Sequence, residues 1–170
     1  MSTPFDISTG SYDSVSFTLQ DNNVNGLFFR ADGLKFFVVT GDADSVYSYS
    51  CSSAWDLSTA SYDSVSFSVG GQDTNPYDIA FKSDGTKMYM VGLTNDTVYQ
   101  YTLSTAWNVS TASYDSVSFS VTSQESTPAS IQFNSDGTEM YVLGFNSDSV
   151  HQYNLSTAWD LSTASYSTIS

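Results

Sequence analysis

The stretch PYDIAFKSDGTKMYMVGLTNDTVYQYTL, residues 76–103, decides the fold. Two short apolar runs flank Asp84-Gly85, and an Asp-Gly pair between alternating apolar runs is a strong hairpin signal because both residues tolerate positive φ. A second turn, LTNDT, leads into VYQYTL, where Val98 alternates with Gln100 and Tyr99 with Tyr101. The connection STAWNVSTA then precedes SYDSVSFSV, in which Val117, Phe119 and Val121 face one way and Ser116, Ser118 and Ser120 the other. The pattern predicts four antiparallel strands and almost no helix, since Ser, Thr, Asn and Asp form turns and strands rather than helices.

The same unit recurs along the chain. Trp55, Trp107 and Trp159 are spaced by 52 residues, as are Gly33, Gly85 and Gly137, and Asp44, Asp96 and Asp148. The register slips only between Phe17 and Gly33, which is two residues shorter than Phe67 to Gly85 and so places a deletion in a loop. Four strands per unit, repeated without helices, is the signature of β-propeller blades. The fold class expected is therefore all-β, a propeller of four-stranded antiparallel blades with three repeats in the chain.

PYDIAFKSDGTKMYMVGLTNDTVYQYTL and its counterpart PASIQFNSDGTEMYVLGFNSDSVHQYNL, residues 128–155, resemble the YVTN and lactonase-like propeller repeats. In those repeats a Pro-led inner strand ends in an Asp-Gly turn and continues into a Tyr-Val strand. The resemblance covers the whole chain and implies the architecture; such repeats occur in enzymes, surface proteins and phage structural proteins alike.

The chain opens and closes inside the same phrase, STPFDISTGSYDSVSFTL from Ser2 and STAWDLSTASYSTIS from Ser156. The expected organisation is a single propeller module: residues 1–19 as an outer closing strand, 20–69 as repeat 1, 70–121 as repeat 2, and 122–170 as repeat 3 with an incomplete outer strand. Three blades fall below the roughly four to eight that close a propeller. A homodimer would give six, each chain lending its N-terminal strand to its neighbour's last blade. A piece of a longer array is the rival account.

At 170 residues with 15% aromatics the chain is long enough for one domain with a real core. Its 18 acidic against four basic residues, net charge −14, disfavour nucleic acid and anionic lipid as partners. No apolar run approaches the roughly 20 residues of a membrane span, and MSTPFDISTG lacks a secretory pattern. Cytoplasm, phage particle, or an extracellular surface reached by another export route all stay open. A single cysteine excludes an internal disulfide.

Candidate residues follow from position. Asp44, Asp96 and Asp148 precede the third strand of each repeat, near Asp21, Asp42, Asp73 and Glu125. They are either turn caps or, as the lactonase-like resemblance implies, carboxylates converging on the axis to bind Ca²⁺. Trp55, Trp107 and Trp159, with Phe5 in the same slot, either pack beneath their linkers or stack on carbohydrate as a multivalent lectin. His151 aligns with Tyr47 and Tyr99, and Cys51 with Leu103 and Leu155, so both are expected to pack. All four basic residues, Arg30, Lys35, Lys82 and Lys87, flank the first two Asp-Gly turns as a basic rim. No Ser/His/Asp or Cys/His constellation can be composed. The functional expectation is a non-enzymatic, self-associating scaffold or binding module of a phage or bacterial surface, with a metal-dependent lactonase-like hydrolase or a sugar-binding lectin as alternatives.

Overall fold

The computed structural model describes residue 8 and residues 10–167; the expected role of Phe5 lies outside them. Twelve strands form three antiparallel sheets. Blade 1 holds β1 (Val24–Phe29), β2 (Lys35–Thr40), β3 (Ser45–Cys51) and β4 (Ala60–Ser68) in spatial order. Blade 2 holds β5 (Pro76–Phe81), β6 (Lys87–Gly92), β7 (Thr97–Leu103) and β8 (Ala112–Ser120). Blade 3 holds β9 (Pro128–Phe133), β10 (Glu139–Gly144), β11 (Val150–Leu155) and a three-residue β12 (Ala164–Tyr166). The first strands β1, β5 and β9 stand side by side, as the innermost strands of a propeller do.

Alternation makes each central strand apolar on both faces, so each blade is buried from two sides. Phe37, Val39 and Val46 of blade 1 meet Ile79, Met88 and Tyr101 of blade 2 in one core. Tyr89, Val91 and Val98 of blade 2 meet Ile131, Met140 and Tyr153 of blade 3 in the next. The outer strands join in edge-on: Phe67 stands at 80° to Tyr101, centroids 5.7 Å apart, and Phe119 at 76° to Tyr153, 5.3 Å apart.

A tryptophan latches each blade's outer connection to its inner hairpin. Trp55, Trp107 and Trp159 take left-handed backbone, φ 60°, 63° and 63°. Each donates its backbone N–H to the carbonyl of the turn glycine, at 2.9 Å to Gly33, 3.0 Å to Gly85 and 2.9 Å to Gly137. The ring lies flat against that glycine, and a Cβ on Gly85 would sit 2.4 Å from the Trp107 ring. In the hairpin only the glycine adopts positive φ. The aspartate instead turns its carboxylate onto the backbone two residues on, Thr86 N–H donating to Asp84 Oδ1 at 2.9 Å. The Asp-Gly signal was therefore sound, but left-handed freedom is used at one residue, because the aspartate's stabilisation is a hydrogen bond.

One-turn 3-10 helices, Leu57–Thr59, Val109–Thr111 and Leu161–Thr163, carry the connection into the outer strand, each capped by the preceding Asp56, Asn108 or Asp160 side chain. Residues 10–23 form no strand, so blade 3's fourth strand is here the chain's own short β12.

Replacing Gly85 with Ala forces an L-residue into left-handed backbone and drives its methyl into Trp107. We expect a loss of about 2 kcal/mol or more in unfolding free energy, read by urea titration. A loss no larger than that of an exposed Ser→Ala change would mean the latch is not structural.

Candidate functional site

Where the three innermost strands begin, the repeat stops repeating. The equivalent positions Gly26, Asp78 and Ser130 follow an irregularity in each inner ladder, at Val24/Gly26, Pro76/Asp78 and opposite Leu143/Gly144. Asp78 is half-buried between its neighbours. Its Oδ2 accepts from Ser130 Oγ at 2.6 Å and from the Ile131 N–H at 3.0 Å, while Oδ1 accepts from the Ile79 N–H at 2.9 Å. On the other flank Gly26 leaves Oδ1 free of side-chain cover: a Cβ there would come within 2.5 Å of it. Asn25 Nδ2 donates to the Pro76 carbonyl at 2.8 Å and ties β1 to β5 beside the carboxyl.

Burial pushes the Asp78 carboxyl up from the ordinary aspartate value, and the Ser130, Ile131 and Ile79 donors only partly oppose it. Other shifted carboxyls move the opposite way. At Glu125 burial also raises the value, yet the Ser147, Thr127 and Asn146 donors outweigh it and hold the group low. At Asp63 and Asp115 burial is likewise outweighed, by Lys35, Ser48 and Ser50 in the first case and by Gln100, Thr102 and Lys87 in the second. Asp78 matches no sequence motif, and its column Gly, Asp, Ser is one of three inner-strand columns at which the repeats differ in character, with Asn25, Tyr77, Ala129 and Phe28, Ala80, Gln132.

Above this position the inter-blade loops are clasped by one buried acid in blades 2 and 3. Asp73 accepts from the N–H groups of Asn75, Thr94 and Asn95 at 2.8, 3.2 and 3.0 Å. Glu125 accepts from Thr127, Asn146 and Ser147 N–H groups at 2.6, 3.2 and 3.0 Å. Gly92 and Gly144 supply the space these carboxylates occupy. Blade 1 repeats the device more loosely, Asp21 accepting from Ala43 N–H at 3.1 Å.

Glu125, Ser147 and His151 also line up, a combination the sequence spacing did not suggest. Ser147 Oγ donates to Glu125, so the His151 Nε2, 2.9 Å away, donates to Ser147 Oγ. That order holds the serine proton on the carboxylate and leaves the imidazole without a base's role toward it. His151 otherwise packs near Tyr166, centroids 6.1 Å apart.

Asp44, Asp96 and Asp148 take left-handed backbone, φ 46°, 47° and 49°, in the turns after the second strands. The carbonyls of the first two accept the Val69 and Val121 N–H groups at 2.8 and 2.9 Å. The structure does not bring the three together, and among the described residues no three His, Cys, Asp or Glu side chains form a metal-ligating group. One Asp44 oxygen is buried without a hydrogen-bond partner, but a lone oxygen is not the set of six or more that Ca²⁺ requires.

Trp107 and Trp159 are half-buried, stacking on Phe81 and Phe133 at 5.6 and 5.4 Å, whereas Trp55 is 62% exposed. The four basic residues are ion-paired, Arg30 with Asp32, Lys35 with Asp63, Lys82 with Asp84 and Lys87 with Asp115, which leaves no free basic rim. Cys51 is buried in its leucine slot, and burial pushes its thiol up.

No protein-family model and no curated protein matches the chain. Solved structures do. A protein of Bacteroides uniformis assigned as a 6-phosphogluconolactonase aligns with a TM-score of 0.60 at 14% identity, over 84% of this chain and 39% of its own. The periplasmic gluconolactonase PpgL of Pseudomonas aeruginosa aligns with a TM-score of 0.60 at 12% identity, over 85% and 39%. A Lactobacillus plantarum protein aligns with a TM-score of 0.57 at 18% identity, over 85% and 40%. In fold, this chain is a run of propeller blades. It spans about 40% of the length of the structures it matches.

These relatives correct the expectation of a non-enzymatic protein, because the fold is shared with named lactonases. No described helix is long and apolar enough to cross a membrane.

Because its value is raised in the fold, Asp78 contributes stability that is full at low pH and is lost as pH rises through its folded value. Glu125, Asp63 and Asp115 run the other way, losing theirs as pH falls. Comparing the wild type with Asp78→Asn by urea unfolding from acidic to neutral pH, we expect the wild type to lose ground as pH rises. A pH-independent difference would show that Asp78 titrates in the ordinary range.

Proposed function

We propose that this chain builds part of a lactone-hydrolysing propeller whose chemistry runs at Asp78. The observation that carries the reading is a single carboxyl, raised by burial, set between inner strands at the one inner-strand position occupied by Gly, Asp and Ser in turn. The lactonase relatives support the choice of substrate class.

The chemistry asked of the site is modest. A lactone is a cyclic ester; water attacks its carbonyl carbon while a base removes the water's proton, then the ring acyl–oxygen bond breaks and the ring oxygen takes the proton back. Asp78 is the base in this reading. A raised value brings a carboxylate closer to the basicity that serves proton transfer near neutral pH. The Ser130 hydroxyl and the Ile131 and Ile79 N–H groups fix its orientation, and Gly26 leaves Oδ1 approachable. Ser130 is a positioning residue here, since its proton is given to Asp78.

The test is hydrolysis of D-gluconolactone by the whole chain, followed as acid release and corrected for the uncatalysed rate. We expect catalysis that rises with pH through a midpoint above the ordinary aspartate range, and a loss of roughly 10²-fold or more in Asp78→Asn with its fold intact by circular dichroism. Ser130→Ala removes a donor to the carboxylate, so it should move the midpoint further up while costing the rate far less than Asp78→Asn. No catalysis above background, or a full rate in Asp78→Asn, would overturn the reading.

A further inference from the structure

The two ends of the blade array carry matching halves of an interface that the structure already contains. Leu27 on the free face of blade 1 is 59% exposed, while its equivalents Ile79 and Ile131 are 2% and 0% exposed inside the inter-blade cores. On the free face of blade 3, Leu143 and Val150 are 44% and 63% exposed, while their equivalents Val91 and Val98 are both fully buried. Trp55 is the latch tryptophan that lacks a preceding blade against it; Trp107 stacks on Phe28 of the blade before, and Trp159 on Tyr89.

The polar grips at the junction of blades 2 and 3 have counterparts at the two free faces, while the junction of blades 1 and 2 carries Phe37 and Ser48 in their place. Away from Asp78, blade 2 grips the outer connection of blade 3 by two hydrogen bonds: Tyr89 Oη donates to the Trp159 carbonyl at 2.6 Å, and the Leu161 N–H donates to Gln100 Oε1 at 2.9 Å. Blade 3 carries the same pair one repeat on, Tyr141 and Gln152, and blade 1 carries the same receivers two repeats back, Trp55 and Leu57. In this chain Tyr141 and Gln152 turn to Glu139 instead.

The segment before blade 1 keeps the geometry of an outer strand without belonging to a sheet of its own. Ser14 has φ 65°, matching the left-handed Ser64 and Ser116 at the irregularities of β4 and β8, φ 58° in both. Val15, Phe17 and Leu19 are half-buried and alternate with exposed Ser16 and Thr18. Phe17 stands at 80° to Tyr49, centroids 5.7 Å apart, as Phe67 does on Tyr101. Beside it, Val24, Leu27, Phe29, Phe36, Val38 and Leu57 line an apolar groove of about 180 Å³.

We propose that the occupant of this groove is blade 3 of a second copy of the chain, docked head to tail, so that two copies close a six-bladed ring. Tyr141 then donates to the Trp55 carbonyl and Gln152 accepts from the Leu57 N–H. Val150 pairs with Phe17, in the register that joins Val46 to Phe67 and Val98 to Phe119. Among the described residues β12 pairs with β11 as far as Tyr166 opposite Tyr153, with one further bond from the Ser167 N–H to the Gln152 carbonyl, and Val150 has no outer-strand partner beside it. This inference rests on packing and is independent of the hydrolase reading.

The experiment is solution mass by light scattering on the 170-residue chain and on two variants with exposed substitutions, Leu27→Asp and Val150→Asp, their folding checked by circular dichroism. We expect a dimer for the wild type, monomers for each variant alone, and a dimer again when the two variants are mixed, since one intact interface remains only in a head-to-tail pair. Tyr141→Phe, which keeps the ring that Phe37 shows to fit, should weaken the dimer about five- to tenfold. A wild-type monomer, open-ended larger species, a variant that stays dimeric, or a mixture that stays monomeric would each overturn the proposal.

Discussion

A sheet that is apolar on both faces cannot stand alone, and this constraint organises the molecule. The central strands of each blade carry Phe, Tyr, Val, Met and Ile on both sides, so burying a blade requires a neighbour before it and another after it. Blade 2 has both. Blades 1 and 3 have one each, and their outward faces show the cost as exposed Leu27, Trp55, Leu143 and Val150. The half-buried segment around Phe17 is what partly shields blade 1, and it does so with the contact an outer strand makes on the next blade.

The repeated and unrepeated positions divide the labour. Those recurring every 52 residues carry the fold: the turn glycine, the tryptophan laid on it, and the aromatic that meets the next blade's tyrosine. Each solves the same local problem three times. The positions that break the pattern are where the blades differ chemically, and among them Asp78 is the one placed between inner strands with its value pushed up by burial. Glu125 breaks the pattern too, standing where blade 2 has Asp73, but it is saturated by four donors and holds a loop.

Most of the architecture was legible in the sequence because the period, the strand alternation and the Asp-Gly turns are local signals that agree with one another. The latch was half legible. The spacing of Trp55, Trp107 and Trp159 was plain, but their left-handed backbone and their seat on Gly33, Gly85 and Gly137 depend on a contact some 22 residues back along the chain. The acids before the third strands were read as one class, yet the structure separates them: Asp44, Asp96 and Asp148 shape turns by their backbone, while Asp73 and Glu125 clasp loops by their carboxylates. Asp78 was illegible by motif because its environment comes from three strands, each 52 residues from the next. The repeat fails at that column and also at Asn25, Tyr77, Ala129 and at Phe28, Ala80, Gln132, so sequence variation does not single Asp78 out until the strands stand side by side.

Ring closure and the axial site bear on one another through this same column. In a single chain the inner strands present Gly26, Asp78 and Ser130 in order, and Asp78 reaches forward to Ser130. Ser130 has no blade after it. In a closed pair the next residue around the axis is the second copy's glycine, which has no side chain to bond, so each Asp78–Ser130 unit is followed by an opening and the two openings are related by the twofold. Glycine at this position then leaves space on the blade 1 side of Asp78 and at the junction between copies, while the Asp78–Ser130 junction is closed by its hydrogen bond. Much of the repulsion from −14 per chain acts between copies across solvent where salt screens it; on the mating faces Val24, Leu27, Leu143 and Val150 are uncharged, and Glu139, which holds Tyr141 and Gln152, is the charge that closure must accommodate.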